Sequence, residues 1–183
     1  MATLPGGMYG ETHTGTDAGD AINGGNGSDF VSGLGGDDAL FGGNGKDGVS
    51  GDADNDYVVG GNAKDVLSGG SGDDYLNGGN GADYLDGGSG DDQLVGGQGG
   101  DTFVFTGGGG QDLVMDFQKG LDTLQIARNI NGLDIASADD LAARVTSVDG
   151  KAVIDLGNGD SITLQGVSAA DVQADPDAFF TVV

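Results

Sequence analysis

Ten aspartates recur at a strict interval of nine residues, and their carboxylates are the groups in this chain best placed to do chemistry. Each occupies the sixth position of a nine-residue repeat that runs without a gap from Gly15 to Val104. Residues 24–32 show the full pattern, G-G-x-G-x-D-x-U-x, in which U is a large aliphatic or aromatic residue. The ten are Asp20, Asp29, Asp38, Asp47, Asp56, Asp65, Asp74, Asp83, Asp92 and Asp101. A fixed period of this kind predicts a solenoid, in which equivalent residues stack in columns.

Stacked carboxylates require cations. If two repeats make one coil, alternate aspartates lie about 4.8 Å apart in two columns, and each pair repels by roughly 1 kcal/mol in water and by more at lower dielectric. Ca²⁺ suits such columns because it binds carboxylate and backbone carbonyl oxygens, whereas Mg²⁺ keeps its waters in a tight octahedron. Zn²⁺ would need Cys or several His, and this chain has only His13 and no Cys. The candidate carbonyl ligands are turn glycines of the regular repeats, namely Gly25, Gly27, Gly43, Gly45, Gly70, Gly72, Gly79, Gly81, Gly88 and Gly90.

The repeats must hold these groups on a frame of tight turns and short strands. Positions one to six are rich in Gly, which suits positive φ and close backbone approach. Positions seven to nine favour β-structure, as in Tyr57-Val58-Val59, and in a strand that short the apolar eighth residue points away from its neighbours. We therefore predict an all-β solenoid of two parallel sheets, with the eighth-position residues packed between them and five coils stacked over roughly 24 Å.

The spacing also predicts the number of ions. Successive turns on each side leave four gaps, so we expect about eight Ca²⁺, with one or two fewer at the irregular repeats one, three, five and six. Repeat five has Asp52 and Asp54 where Gly is usual, and repeat three has Leu34. Past a two-residue insertion the pattern continues weakly, which makes Asp112, Asp116 and Asp122 further candidate ligands.

Charge and composition exclude several classes of function. Acidic residues number 30 against 6 basic, giving a net charge of −24, which disfavours nucleic acid and anionic membranes as partners. All but one of the acids are Asp, a residue suited to tight turns. The chain has no apolar run long enough to span a membrane, and residues 1–14 lack the pattern of a signal peptide. Because the chain has no Cys and therefore no disulfide, bound metal is expected to stabilise the fold.

Catalysis within this chain is not expected. His13 is the only His and lies before the repeats, and neither an H-E-x-x-H nor a G-x-S-x-G motif occurs. An alternative is an extracellular adhesion or glycan-binding protein, with a sugar-binding surface around Tyr57, Tyr75 and Tyr84. Those tyrosines are more simply interpreted as support for the sheets.

The pattern divides the chain into a lead-in at 1–14, a repeat region at 15–125 and a C-terminal region at 126–183. Thr123–Ile126 is predicted as a strand, and Ser137 as the N-cap of a short helix that ends near Arg144. Two alternating segments around Gly157-Asn158-Gly159-Asp160 predict a hairpin. This mixed, mainly β region is expected to cap the open end of the solenoid.

The repeats resemble those of the RTX (repeat-in-toxin) family of hemolysin-type calcium-binding proteins, tightly over 15–104 and more loosely beyond. The resemblance implies a right-handed parallel β-roll with Ca²⁺ held between turns by the aspartates and turn carbonyls. It also implies type I secretion to the extracellular medium through an uncleaved C-terminal signal, for which the terminal Asp177–Val183 run is the candidate. Family repeats often follow a lipase, protease or polysaccharide epimerase domain, so the chain is alternatively the calcium-binding end of such an enzyme.

These observations lead to a hypothesis of calcium-coupled folding. In a low-calcium cytoplasm the aspartate columns repel and the glycines are costly to order, so the chain stays unfolded and suits export. Outside the cell, calcium fills the sites and its binding free energy becomes folding free energy.

Overall fold

Two parallel β-sheets, wound from alternate strands, form most of the molecule. A computed structural model describes residues 3–183. The first sheet has the order β1-β3-β5-β7-β9-β11-β13-β17-β16-β15, and the second has the order β18-β14-β12-β10-β8-β6-β4-β2. The strands are β1 Thr3–Leu4, β2 Thr12–Thr14, β3 Ala21–Asn26, β4 Phe30–Gly35, β5 Ala39–Asn44, β6 Gly48–Ala53, β7 Tyr57–Asn62, β8 Val66–Ser71, β9 Tyr75–Asn80, β10 Tyr84–Ser89, β11 Gln93–Gln98, β12 Thr102–Phe105, β13 Gln111–Val114, β14 Thr123–Ile126, β15 Val145–Val148, β16 Lys151–Gly157, β17 Asp160–Leu164 and β18 Phe180–Val182.

The register within the repeats is uniform. Each repeat strand pairs in parallel with the strand 18 residues away, as Tyr57 does with Tyr75. The strands are six residues long, whereas the sequence predicted three. They continue from position seven of one repeat through position three of the next, because the parallel ladder persists across the glycines, as between Gly70 and Gly88. The true turn is therefore only positions four to six.

Within the repeats, the hydrophobic core consists of the eighth-position side chains of both sheets. From Ile22 to Phe103 all ten are at most 2 % exposed. The strand period of two places them on the inner face, so the predicted core is confirmed.

The coils extend past the ten regular repeats at both ends. At the N-terminal end, β1 pairs with β3 and β2 pairs with β4. At the other end, β13 and β14 continue the two sheets, followed by β17 and β18 in parallel register. The result is a parallel β-solenoid of about seven turns, where the sequence predicted five.

The C-terminal region closes the solenoid as a small mixed cap. Its short helices are α1 Ala138–Ala142 and α2 Ala169–Ala174. Ser137 caps α1 in a capping box with Asp140, and β16 and β17 form the expected antiparallel hairpin. Phe179 and Phe180 are buried, and the Phe179 ring stacks on Phe117. The predicted all-β roll with a mixed, mainly β cap is confirmed.

Candidate metal centre

The repeat aspartates form two buried ladders, one along each line of turns. All ten are at most 4 % exposed. In each ladder an Oδ1 atom accepts a hydrogen bond from the backbone N–H of the aspartate one coil earlier, at 2.6 to 2.9 Å. Asp74 Oδ1, for example, accepts from Asp56 at 2.7 Å. The carboxylates are thereby held in two columns, as the repeat spacing predicted.

The second carboxylate oxygen of these residues is orphaned. Within residues 3–183, nine of the ten Oδ2 atoms are buried and have no hydrogen-bond partner, from Asp29 through Asp101 in register. The exception is Asp20, whose Oδ2 accepts from the Thr16 backbone at 2.7 Å and from the Thr16 hydroxyl at 2.9 Å. Buried polar atoms are rarely left unsatisfied, and a charged one is costly, so nine equivalent orphans indicate a missing partner common to all.

A cation would satisfy these atoms, because they lie near other oxygens. A Cβ placed on Gly42 would lie 2.7 Å from Asp47 Oδ2 and 2.6 Å from the Gly60 carbonyl oxygen. Gly24, Gly60, Gly69 and Gly78 have the same two neighbours, the Oδ2 of their own repeat and a carbonyl of the next coil. At Gly87 and Gly96 the nearest atoms are those of the Asp side chain of the same repeat. A space bounded by carboxylate and carbonyl oxygens suits a hard cation such as Ca²⁺.

Backbone oxygens must supply most of any coordination shell. Within residues 3–183 no three acidic or imidazole side chains converge on one point. Ca²⁺ needs more ligands than one or two carboxylates provide. The arrangement therefore fits an ion held between turns, rather than one held in a cage of side chains.

The ten turn glycines named from the sequence all have positive φ, between 100° and 159°. At Gly45 a Cβ would overlap the carbonyl oxygen of Gly27, one coil earlier. At Gly72, Gly81, Gly90 and Gly99 an added Cβ would likewise meet a carbonyl oxygen of the preceding turn, so glycine avoids this contact. Asp54 and Ala63 occupy the same position in repeats five and six, also with positive φ. The role of the turn glycines as carbonyl ligands stays a prediction.

The electrostatics of the columns disfavour negative charge without a cation. Burial raises the pKa of Asp56, Asp65 and Asp74 to about 7, with like charges on the adjoining coils as a further cause. Burial and neighbouring carboxylates also raise the pKa of Asp92 and Asp101 to about 6. The ladder hydrogen bonds oppose these shifts and do not cancel them. A bound cation would reverse the balance.

Two of the three predicted outlying ligands, Asp112 and Asp122, extend the ladders. Asp112 Oδ1 accepts from the Asp92 N–H at 3.1 Å, and Asp122 Oδ1 accepts from the Asp101 N–H at 2.9 Å. Burial raises the pKa of Asp112 to about 8 and also raises that of Asp122. Asp116 lies elsewhere, since its two oxygens accept from the Gly96 and Gly97 N–H groups, each at 2.9 Å.

One ladder member was missed from the sequence. Gly6–Thr14 forms an extra repeat in which Glu11 takes the sixth position, and the Glu11 N–H donates to Asp29 Oδ1 at 2.6 Å. His13 takes the eighth position and pairs with Val31. The available signal was Gly6-Gly7 at the right spacing before an acid, which Glu in place of Asp and His in place of an aliphatic residue obscured.

The irregular repeats fill part of one column with side chains. Asp52 Oδ2 accepts from the Ser32 hydroxyl at 2.6 Å, and Asp54 Oδ2 accepts from the Gly36 N–H at 3.0 Å. Burial would raise the pKa of Asp52, but hydrogen bonds from Ser32, Ser50 and the Leu34 backbone lower it. Four substituted turn positions still have positive φ, and they are Leu34, Asp52, Asp54 and Ala63.

The three tyrosines do not share a surface. Tyr57 and Tyr75 lie on the first sheet, and their rings stack with centroids 5.0 Å apart and planes 3° apart. Tyr84 lies on β10 in the second sheet, where its hydroxyl accepts from Gln125 Nε2 at 2.6 Å. Packing between strands accounts for these contacts.

Comparison with known proteins agrees with this geometry. The family model of the RTX calcium-binding nonapeptide repeat (4 copies) matches residues 14–49, 50–85 and 68–103. No curated protein matches the chain. Among residues 3–183 there is no helix of the length and hydropathy that a membrane span requires.

Two examples illustrate the solved structures to which the chain is similar. One is the solution structure of the AlgE6R3 subunit of the Azotobacter vinelandii mannuronan C5-epimerase, with 30% identity and a TM-score of 0.51, over 70% of this chain and 78% of that one. The other is the extracellular lipase LipA of Serratia marcescens, with 21% identity and a TM-score of 0.42, over 97% of this chain and 39% of that one.

Proposed function

The chain belongs to the RTX calcium-binding nonapeptide-repeat family, and on that premise we propose that it is a non-catalytic module that folds when it binds calcium outside the cell. The repeats of this family bind calcium. The single observation that carries the proposal is the row of nine buried, orphaned Oδ2 atoms, of which the seven from Asp29 to Asp83 lie near a carbonyl oxygen of the next coil.

The ligands we propose are the Oδ2 atoms of the ladder aspartates together with carbonyls of the first, second and fourth turn positions. When bound, calcium supplies the positive charge that the oxygen-lined gaps lack. The Oδ1 atoms orient the ligands, because each is fixed by a backbone N–H of the neighbouring coil. The eighth-position column stacks the coils, so that successive turns are in register. Folding and ion binding are therefore one process.

About eight ions are expected in the gaps between the regular repeats. The gap between Asp20 and Asp38 is the weakest site in this scheme, because Thr16 already donates two hydrogen bonds to Asp20 Oδ2. The gap between repeats three and five is the second weakest site, since the carboxylates of Asp52 and Asp54 accept hydrogen bonds from the preceding coil. The opposite column has Ala63 as its substituted turn residue but no added carboxylate, and it should fill first.

The cap is proposed to act as nucleus and as a type I secretion signal. As an unfolded chain it would expose the terminal hydrophobic run Phe179–Val183 to the export apparatus. In the folded protein Phe179 and Phe180 are buried, and β18 pairs with β14, so the same residues then complete the last coil.

Attachment to a secreted enzyme is the second function that an observation favours. The epimerase subunit is 30% identical and has the same repeat fold. By that likeness, this chain would serve as a calcium-binding module beside a catalytic domain, and its own contribution would be a folded, extracellular support.

Far-UV circular dichroism during a Ca²⁺ titration tests the proposal, with Mg²⁺ as the control ion. We expect a cooperative gain of β signal with Ca²⁺ alone, and titration calorimetry should then give a stoichiometry of about eight. A chain that is already fully folded in excess chelator would contradict calcium-coupled folding and make the repeats a static scaffold.

A further inference from the structure

Two lysines lie side by side on one edge of the roll. Lys46 and Lys64 occupy position five of repeats four and six, on adjacent coils of the column headed by Glu11. Their strands pair directly, with Gly48 opposite Val66, so the two coils are about 4.8 Å apart. Both side chains are exposed. Within residues 3–183 neither forms an ion pair.

This placement is unexpected on electrostatic grounds. The chain has six basic residues and 30 acidic ones, and two of the other cations, Lys119 and Arg144, are paired with aspartates. Two adjacent, unpaired ammonium groups repel each other. Burial raises the pKa of Asp83 on the next coil, and the Lys64 charge opposes that shift. Among residues 3–183, however, neither ammonium group is enclosed by an ion pair, so both are open to a negatively charged ligand.

An exposed aromatic ring lies next to the lysines. Phe30 is 69 % exposed, and its Cδ1 and Cε1 atoms are 3.0 Å from the point that a Gly48 Cβ would occupy. The ring therefore lies over the glycine and leaves its other side open to solvent. Glycine at this outward position is what makes room for the ring, since Val66 occupies the equivalent position one coil on.

These residues bound a continuous surface. A groove of about 520 Å³ is lined by Phe30, Lys46, Asp47, Gly48, Lys64 and Val66. A second groove of about 290 Å³ shares Phe30, Gly48 and Val66 and extends along the second sheet to Thr12 and Ser68. Because the two share a floor, an extended ligand could cross several coils.

We propose that this surface, the Phe30–Lys46–Lys64 groove, binds a carboxylate-bearing polysaccharide. The paired ammonium groups are point charges that suit carboxylates on successive sugar residues. The open aromatic face suits the C–H face of a pyranose ring, and this feature favours a sugar over an acidic peptide. Tyr57 and Tyr75 on the opposite sheet stack on each other, so each of them has one ring face covered.

The test is titration calorimetry of the calcium-loaded protein with short oligogalacturonate, too short to gel with calcium. A neutral oligosaccharide of equal length and oligoglutamate are the comparison ligands. The variant Lys46→Gln/Lys64→Gln removes the charge pair, and Arg128→Gln/Lys151→Gln removes two cations of the cap as the matched control. Phe30→Ser removes the platform. Circular dichroism on each sample verifies the calcium-loaded fold, so a folding failure is distinguished from a binding failure.

We expect oligogalacturonate to bind in a salt-dependent manner, and the groove double variant to weaken binding by at least about tenfold. The cap double variant should bind within about twofold of the parent. Phe30→Ser should weaken binding and keep its salt dependence. The proposal would be overturned by equal losses of affinity in the two double variants or by equal binding of the neutral sugar. It would also be overturned by tighter binding of oligoglutamate or by no binding to the folded parent.

Discussion

Substitution of Asp74 by Asn should have opposite effects on stability with and without calcium. Asn keeps one oxygen that can accept from the Asp56 N–H, which donates to Asp74 at 2.7 Å. It removes the negative charge and the orphaned Oδ2. The substitution therefore separates the charge and the metal ligand from the hydrogen-bonded ladder, which Asp74→Ala would destroy at the same time.

The structure sets the size of both effects. Burial and the neighbouring Asp92 and Asp73 charges raise the pKa of Asp74 from 3.8 to about 7. Each pKa unit corresponds to about 1.4 kcal/mol, so the buried charge costs on the order of 2 kcal/mol after allowance for solvent screening, and Asn relieves that cost in the calcium-free roll. With calcium, losing one ion held at a hundred times its Kd removes about 2.7 kcal/mol.

Two stability measurements test this reversal. In chelator, the roll is induced with the osmolyte trimethylamine N-oxide, which favours compact states, and Asp74→Asn should need less of it than the parent. In saturating calcium, urea unfolding should give a lower free energy of unfolding for the variant. The matched control is Asp73→Asn, which removes one charge from the same turn at an exposed position outside the ladder.

The reasoning would be refuted if Asp74→Asn destabilised the roll in chelator, since the buried charge would then not be a cost. It would equally be refuted if Asp74→Asn and Asp73→Asn had the same effect in calcium, because position six would then be no different from any other acid in the turn.

The remaining predictions concern acidity, the turns and the order of folding. Six ladder carboxyls have pKa values of about 6 to 8 against 3.8 when free, so their stabilisation of the calcium-free roll is present at low pH and lost as the pH rises through about 6 to 8. Circular dichroism in chelator should therefore show more β signal at about pH 5 than at pH 8. The calcium concentration at the midpoint of folding should rise on acidification. Gly45→Ala should destabilise the roll by several kcal/mol more than Gly159→Ala in urea unfolding, because both have positive φ but only at Gly45 does a Cβ meet a backbone carbonyl; equal losses would contradict the close approach. Asp92→Ala or Asp101→Ala should raise the calcium midpoint more than Asp20→Ala if the stack grows from the cap, and equal effects in a calcium titration would count against that order.

Much of the roll could be predicted because two columns of the repeat, Asp at the sixth position and an apolar residue at the eighth, indicate the same register. The nine-residue spacing fixes which residues share a turn, and the inward eighth position fixes the core. Asp65 and Leu67 therefore lie where the repeat places them, both fully buried. The local signals of the cap also sufficed for the helix at Ser137 and the hairpin before Leu164.

The rest could not be predicted, because tertiary contacts decide it. Strand length depends on whether the hydrogen bonds between strands continue across the glycines. Gly70 pairs with Gly88 only because a neighbouring coil supplies the partner. The extra N-terminal coil has Glu11 and His13 at key positions, and only pairing with β4 identifies it. That Asp52 binds Ser32 across 20 residues likewise follows from the stacking and not from its own repeat.

The distribution of Asp and Glu follows from the ladder geometry. A ladder carboxylate must reach the backbone N–H of the preceding coil with one oxygen and keep the other inside its own turn, and the short side chain of Asp does both. Glu11 heads its column, and among residues 3–183 no earlier ladder residue donates to it. Its longer side chain instead folds over Gly7, where a Cβ would meet both carboxylate oxygens. Glu11 thus keeps both oxygens within its own turn, whereas the Asp of each later coil in that column divides its two oxygens between the preceding coil and its own turn.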